Sequence, residues 1–145
     1  RLHDAPHKDL RRARAAAHSI IPTTTGAAKA ITKIFPDLEG KIDGGAIRVP
    51  VSNGSMSEIT FNLAESVSIE KVNNAMMDSA KLDLKGILGV ITDPIVSIDI
   101  VGSPLSSAYD ASLSRSFGKV LKITAWYDNE AGYSNRLLEL TKKVH

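Results

Sequence analysis

Thr23, Thr24, Thr25 and Gly26 run without a break into an alanine-rich stretch that begins at Ala27. A helix start leaves backbone N–H groups without partners and gathers about half a positive charge there. Hydroxyls beside those amides, and a glycine that lets an oxyanion come close, are what a phosphate needs. The same residues would also serve a plain helix start, with one threonine capping and the others facing water. Arg48 is a second candidate, a charged fork inside the apolar run "AIRVPV". It would take either a phosphate or carboxylate ligand, or a carboxylate of its own chain, or lie on a strand face turned to solvent. Asp128, Asn129 and Glu130 make a polar knot between a strand and a helix, read either as a turn and cap or as a corner facing a ligand.

Other chemistries are excluded. His3, His7, His18 and His145 share no metal-ligand spacing and have no serine or cysteine partner in view, so they read as surface or loop histidines. With no cysteine, these residues hold no disulfide, thiolate metal site or thiol nucleophile. A net charge of +2 is too small to argue for a nucleic acid or membrane partner. The loop before His18 is locally basic, with Arg1, Lys8, Arg11, Arg12 and Arg14 against Asp4 and Asp9, yet it has no aromatic residue for stacking on bases. No apolar run approaches the eighteen residues of a membrane span, and no signal-peptide pattern opens the chain.

The elements that must position these groups follow from spacing. The 145 residues suit one domain. Residues 1 to 18 read as an irregular loop. A helix is predicted over 26 to 35, with Ile31, Ile34 and Phe35 as its apolar face and Pro36 as its stop. Strands are predicted in "GAIRVPVSN", "SMSEITFNLAE", "ILGVI", "IVSID" and "KVLKITAWY". In the second, Ile59, Phe61 and Leu63 alternate with polar residues as in a half-buried strand. Ser68 should cap a helix from about 69 to 80, whose inner face is Ile69, Val72, Met76 and Ala80. A last helix from about 132 to 143 should turn Leu137, Leu138 and Leu140 inward. The fold class expected is α+β, with a mainly antiparallel sheet.

Taken in order, "LRRARAA", "IIPTTTGAAKA", "RVP", "LKGIL" and "WYDNEAGYSNR" resemble the phosphorylating glyceraldehyde-3-phosphate dehydrogenases at the family's spacing, over nearly the whole chain. The resemblance implies an NAD-dependent enzyme that turns an aldehyde into an acyl phosphate in glycolysis, through a cysteine thiol and a base histidine. It implies two anion pockets. Thr25 and Gly26, joined by Arg12, match the one for inorganic phosphate, and Arg48 matches the arginine of the substrate-phosphate pocket. Asn129 matches the asparagine that holds the nicotinamide carboxamide, and Tyr133 the tyrosine packed beside it. The loop from Arg1 to about His18 matches a subunit-interface loop, and Ala5-Pro6 falls where NAD is chosen over NADP, with the proline the NAD-type choice.

The same resemblance puts the catalytic cysteine, the base histidine and the dinucleotide-binding domain upstream of Arg1. Residues 1–127 are then expected to be a partial catalytic domain, and 128–145 a helix that packs on the absent cofactor domain. Such a piece alone should be inactive, while the complete enzyme is expected to be a cytoplasmic homotetramer. Ala131 stands where the family usually has tryptophan, and "PVSNGSMSEIT" replaces the family's usual sequence after the strand arginine. The alternatives are a portion of an erythrose-4-phosphate dehydrogenase, or a catalytically silent domain for anion binding or assembly.

Overall fold

Threonine and isoleucine favour extended backbone, and the threonine run accordingly begins as a strand before it becomes a helix start. The computed structural model describes residues 5–144, of which 5–52 belong to one compact unit and 53–144 to a second. In the first, strand β1 (Ile21–Thr24) leads into helix α1 (Ala27–Ile34), and Pro36 opens a 3-10 turn at Pro36–Leu38 that ends it. The chain returns as β2 (Gly45–Arg48), antiparallel to β1, with Ile21 opposite Arg48 and Thr24 opposite Gly45. Spacing alone did not assign β1, because its four residues are too few to alternate visibly. The strand predicted through "GAIRVPVSN" stops at Arg48, two residues before Pro50, which has no N–H to offer a ladder. Ile34 and Phe35, expected on an apolar face, are exposed.

In the second unit, β3 (Ser55–Asn62) pairs along its whole length with β7 (Val120–Tyr127). Beyond β7 come β5 (Ser107–Asp110) and then β4 (Leu88–Ile91), in the order β3-β7-β5-β4. The short β6 (Arg115–Phe117) also pairs with β7. Every pairing is antiparallel except β4 with β5, so the α+β class holds. Helix α2 (Ile69–Lys81) starts as expected, with Ser68 Oγ accepting from the Lys71 N–H at 3.3 Å.

Val72 of α2 packs on Tyr109 and Leu121 on one side of the sheet. Ile100, Ala108 and Trp126 form a second cluster. Helix α2 lies towards β4, leaving β3 at the opposite edge. That is why Ile59 and Phe61, expected to be half-buried, are exposed while Leu63 packs on the core.

Two further expectations are corrected. "IVSID" is a 3-10 turn at Ser97–Ile100, not a strand. Asp99 Oδ2 accepts from the Val96 N–H at 2.8 Å, and such a local bond competes with a ladder. The last helix, α3 (Ala131–Val144), lies where it was expected, but Leu137, Leu138 and Leu140 point outward, about half exposed. What docks α3 is its first turns, through Gly132 and Arg136. A Cβ on Gly132 would sit 2.5 Å from the Leu105 carbonyl oxygen, so only glycine allows this approach. One turn later Arg136 Nη1 donates to the Gly86 carbonyl at 3.2 Å.

Candidate functional site

The anion-site candidates lie in the first unit. Asp9 closes a turn of the basic loop by accepting from the Arg11 and Arg12 N–H groups at 2.9 and 3.4 Å. Those bonds, the Arg11 N–H first, hold its carboxyl below the usual value. The turn sends the Arg12 side chain across to β1. There Arg12 Nε donates to Thr23 Oγ1 at 2.6 Å and Nη2 to the Thr24 carbonyl at 3.3 Å. Asp9 Oδ2 stands 3.6 Å from the same guanidinium. An arginine from a loop is thus laid along the threonine run, one residue short of Thr25.

At the head of α1, Gly26 is the cap residue, and its side-chain position meets no atom within 4 Å. Thr25 Oγ1 accepts from the Ala27 N–H at 3.2 Å. Thr25 therefore does the local work that a plain helix start asks for, while the open space over Gly26 leaves the amide end accessible. The structure brings Arg12 to this stretch and leaves Arg48 apart from it. Arg48 sits opposite Ile21, at the far end of the ribbon from Thr24. With about 3.4 Å per strand residue, that is a separation of roughly 10 Å. Arg48 is exposed, and among the described residues its guanidinium has no hydrogen-bonded or ion-paired partner. An open pocket of about 480 Å³ runs between the loop and β1, lined by Asp9, Leu10, Arg11, Pro22, Thr23 and Thr24.

The Asp128–Glu130 corner lies in the second unit, where β7 ends and α3 begins. Asp128 Oδ1 accepts from the Glu130 and Ala131 N–H groups at 2.8 and 2.9 Å, so it caps α3. Its Oδ2 accepts from the Gly102 N–H at 2.7 Å and from Asn53 Nδ2 at 2.9 Å. The residue is only 2% exposed. The Gly102 and Ala131 amides, then the Asn53 side chain and the Glu130 amide, pull its carboxyl far below the ordinary carboxylate range against the cost of desolvation. Asn129 stays exposed, with Ser55 Oγ donating to its Oδ1 at 3.3 Å. Tyr133, one helical turn on, is 66% exposed.

Sequence reasoning missed Asp110. It is 1% exposed and accepts from Trp126 Nε1 at 2.9 Å, from the Ser112 hydroxyl at 2.7 Å and from the Ser112 and Leu113 N–H groups, both at 3.0 Å. Burial pushes its carboxyl up, but those donors, Trp126 foremost, outweigh it, and the net shift is downward. The signal was present as an Asp two residues before a serine, a local turn pattern. The tryptophan partner sixteen residues away was not. His7 Nδ1 accepts from the Asp9 N–H at 2.9 Å, a loop role. His3 and His145 lie outside the described residues. Among the described residues no cluster of His, Cys, Asp or Glu could hold a metal ion, and no helix is long and apolar enough to cross a membrane.

Comparison with known proteins agrees with the sequence motifs. The family described as "Glyceraldehyde 3-phosphate dehydrogenase, C-terminal domain" matches residues 1–129. The chain is 55% identical over 143 residues to the glyceraldehyde-3-phosphate dehydrogenase of Mycolicibacterium smegmatis, covering 99% of the chain and 42% of that protein. It is 51% identical over 143 residues to the glyceraldehyde-3-phosphate dehydrogenase of Mycobacterium leprae, at the same coverage. It is also 51% identical to glyceraldehyde-3-phosphate dehydrogenase 2 of Streptomyces arenae, of which it spans 43%. The chain therefore spans well under half the length of the relatives it matches.

Proposed function

This chain belongs to the family of glyceraldehyde 3-phosphate dehydrogenase C-terminal domains, and from that premise we propose that it is the phosphate-binding part of an NAD-dependent dehydrogenase. The complete enzyme would oxidise a phosphorylated aldehyde, in the presence of inorganic phosphate, to an acyl phosphate. The single observation that carries the reading is the Arg12 guanidinium laid on Thr23 and Thr24 beside the start of α1. A loop arginine, a run of hydroxyls and a helix N-terminus together favour an oxyanion.

In this reading Arg12, Thr25 and Gly26 receive inorganic phosphate. Arg48, charged and without a carboxylate partner among the described residues, receives the phosphate of the substrate. These groups bind and orient. They do not attack, and the thiol nucleophile and base histidine belong to a part of the enzyme outside these residues. Asn129 fits the nicotinamide end of NAD, because its exposed amide presents both a donor and an acceptor from a fixed corner, as a carboxamide requires. NAD, when bound, supplies the hydride acceptor. Tyr133 would cover the same corner. The complete enzyme is read as a cytoplasmic homotetramer, with residues 128–145 packing on its dinucleotide-binding domain.

The test is turnover by the complete enzyme with glyceraldehyde 3-phosphate, NAD and phosphate, beside the same assay with erythrose 4-phosphate. Faster turnover of the triose supports the reading, and a preference for erythrose 4-phosphate replaces the substrate. Activity that does not depend on phosphate would overturn the anion-site assignment.

A further inference from the structure

An N-cap carboxylate needs one oxygen, which takes the N–H groups of the first turn. Asp128 has both oxygens occupied. Oδ1 makes the cap, and Oδ2 takes Asn53 Nδ2 and the Gly102 N–H. Capping therefore explains only half of its bonds, and the other half joins two distant segments to the end of β7. These segments are the start of β3 and the loop that follows the 3-10 turn.

What the cap bonds and the extra bonds together hold is Asn129. Its backbone is bracketed, since Asp128 precedes it and the next two N–H groups both bind Asp128 Oδ1. Its side chain meets Ser55 Oγ. Ser55 follows Asn53 by two residues, and the intervening Gly54 is set in a left-handed bend at φ +89°. A side chain there would meet the Ser97 carbonyl oxygen at 2.9 Å, so the bend is pressed against the 3-10 turn. Asn53 Oδ1 also accepts from the Gly54 N–H at 2.8 Å. Holding Asn53 therefore holds Ser55, which opens the β3–β7 ladder opposite Tyr127. Both ends of the Asn129–Ser55 contact lead back to one carboxylate.

We propose that Asp128 is a positioning residue for Asn129, fixing the direction of its amide by clamping the strand end, the helix start and the Ser55-bearing bend into one corner. The inference rests on the reading of Asn129 as a nicotinamide contact. The carboxylate is charged throughout the ordinary pH range, as its depressed titration requires, and it forms a buried anionic hub that gathers four donors from three segments.

The experiment is a double-mutant cycle in the complete enzyme with NAD as the titrant, read by calorimetry and by the KM values. Asn129→Ala should weaken NAD binding. Asp128→Asn, the same shape with fewer acceptors, should weaken it about tenfold, the equivalent of one well-made hydrogen bond. It should leave the KM for the sugar phosphate unchanged. In the Asn129→Ala background, Asp128→Asn should add nothing. A full additional loss in that background, or a parallel rise in every KM, overturns the inference and reduces Asp128 to a cap. If Asn129→Ala alone leaves NAD affinity intact, the Asn129 reading itself fails and the inference falls with it. Should Asp128→Asn yield no folded protein, Asn53→Ala takes its place in the cycle. It removes one of the four donors and faces the same outcomes.

Discussion

At the scale of single residues, a side chain's type proposes a role and its partners decide it. Arg12 and Arg48 illustrate the difference, for both are forks in basic or apolar surroundings and only one is already braced. Arg12 is held by Thr23, Thr24 and Asp9. Arg48 has its whole fork free for a ligand among the described residues. Arg48→Ala in the complete enzyme should therefore raise the KM for the sugar phosphate roughly 10- to 150-fold, the equivalent of about 1.5–3 kcal/mol of lost charged hydrogen bonding. An unchanged KM would make Arg48 a strand residue and nothing more. Thr25→Ala should act mainly on phosphate, weakening its use by about 0.5–1.5 kcal/mol with the sugar phosphate unaffected. Steady-state rates against phosphate concentration measure it. Asp128 carries a pH dependence of definite sign. Its native pKa lies below the unfolded value, so its contribution to stability is complete above about pH 4, the ordinary carboxylate pKa. That contribution is given up as the pH falls further towards the native value. Acid unfolding of Asp128→Asn should lack this component, and an identical acid limb would count against the four-donor clamp.

At the scale of elements, spacing located helices and long strands well and short polar strands badly. Helix α2 was legible because the Ser68 cap and the Ile69-Val72-Met76 face are both local. Strands β5 and β6 were not, because "SAYD" and "RSF" show no period and become strands only by pairing, β5 with β4 and β7 and β6 with β7. "IVSID" failed for the opposite reason, since its apolar alternation was overruled by the Asp99 bond to its own backbone. The docking of α3 was also hidden. Leucines marked the face expected to be buried, yet contact is made by Gly132 and Arg136. Gly132→Ala should thus destabilise the protein by about 1–3 kcal/mol, since the added methyl meets backbone rather than a side chain that can move. Denaturant unfolding measures it, and a neutral result would mean that α3 is not seated on Leu105.

At the scale of the whole molecule, the absence of cysteine forbids the covalent route within these residues. The 145-residue chain assayed alone should show no phosphate-dependent turnover, and measurable activity would sink the proposed division of labour. Its exposed Leu137, Leu138 and Leu140 also form an apolar stripe of the kind that drives association. Sedimentation of the isolated chain should reveal self-association, relieved by replacing the three leucines with lysine, and a monodisperse wild-type monomer would contradict this. By itself the sequence determined the family, the α+β class, the helices and the candidate anion residues, because motifs, caps and periodic faces are written in neighbouring residues. Only the tertiary structure decided that Arg12 lies on the threonine run, that Arg48 stands apart from it, and that Asp128 joins Asn53 and Gly102 to the Asn129 corner. Those are contacts between segments far apart in the chain, and they exist only once the strands have paired.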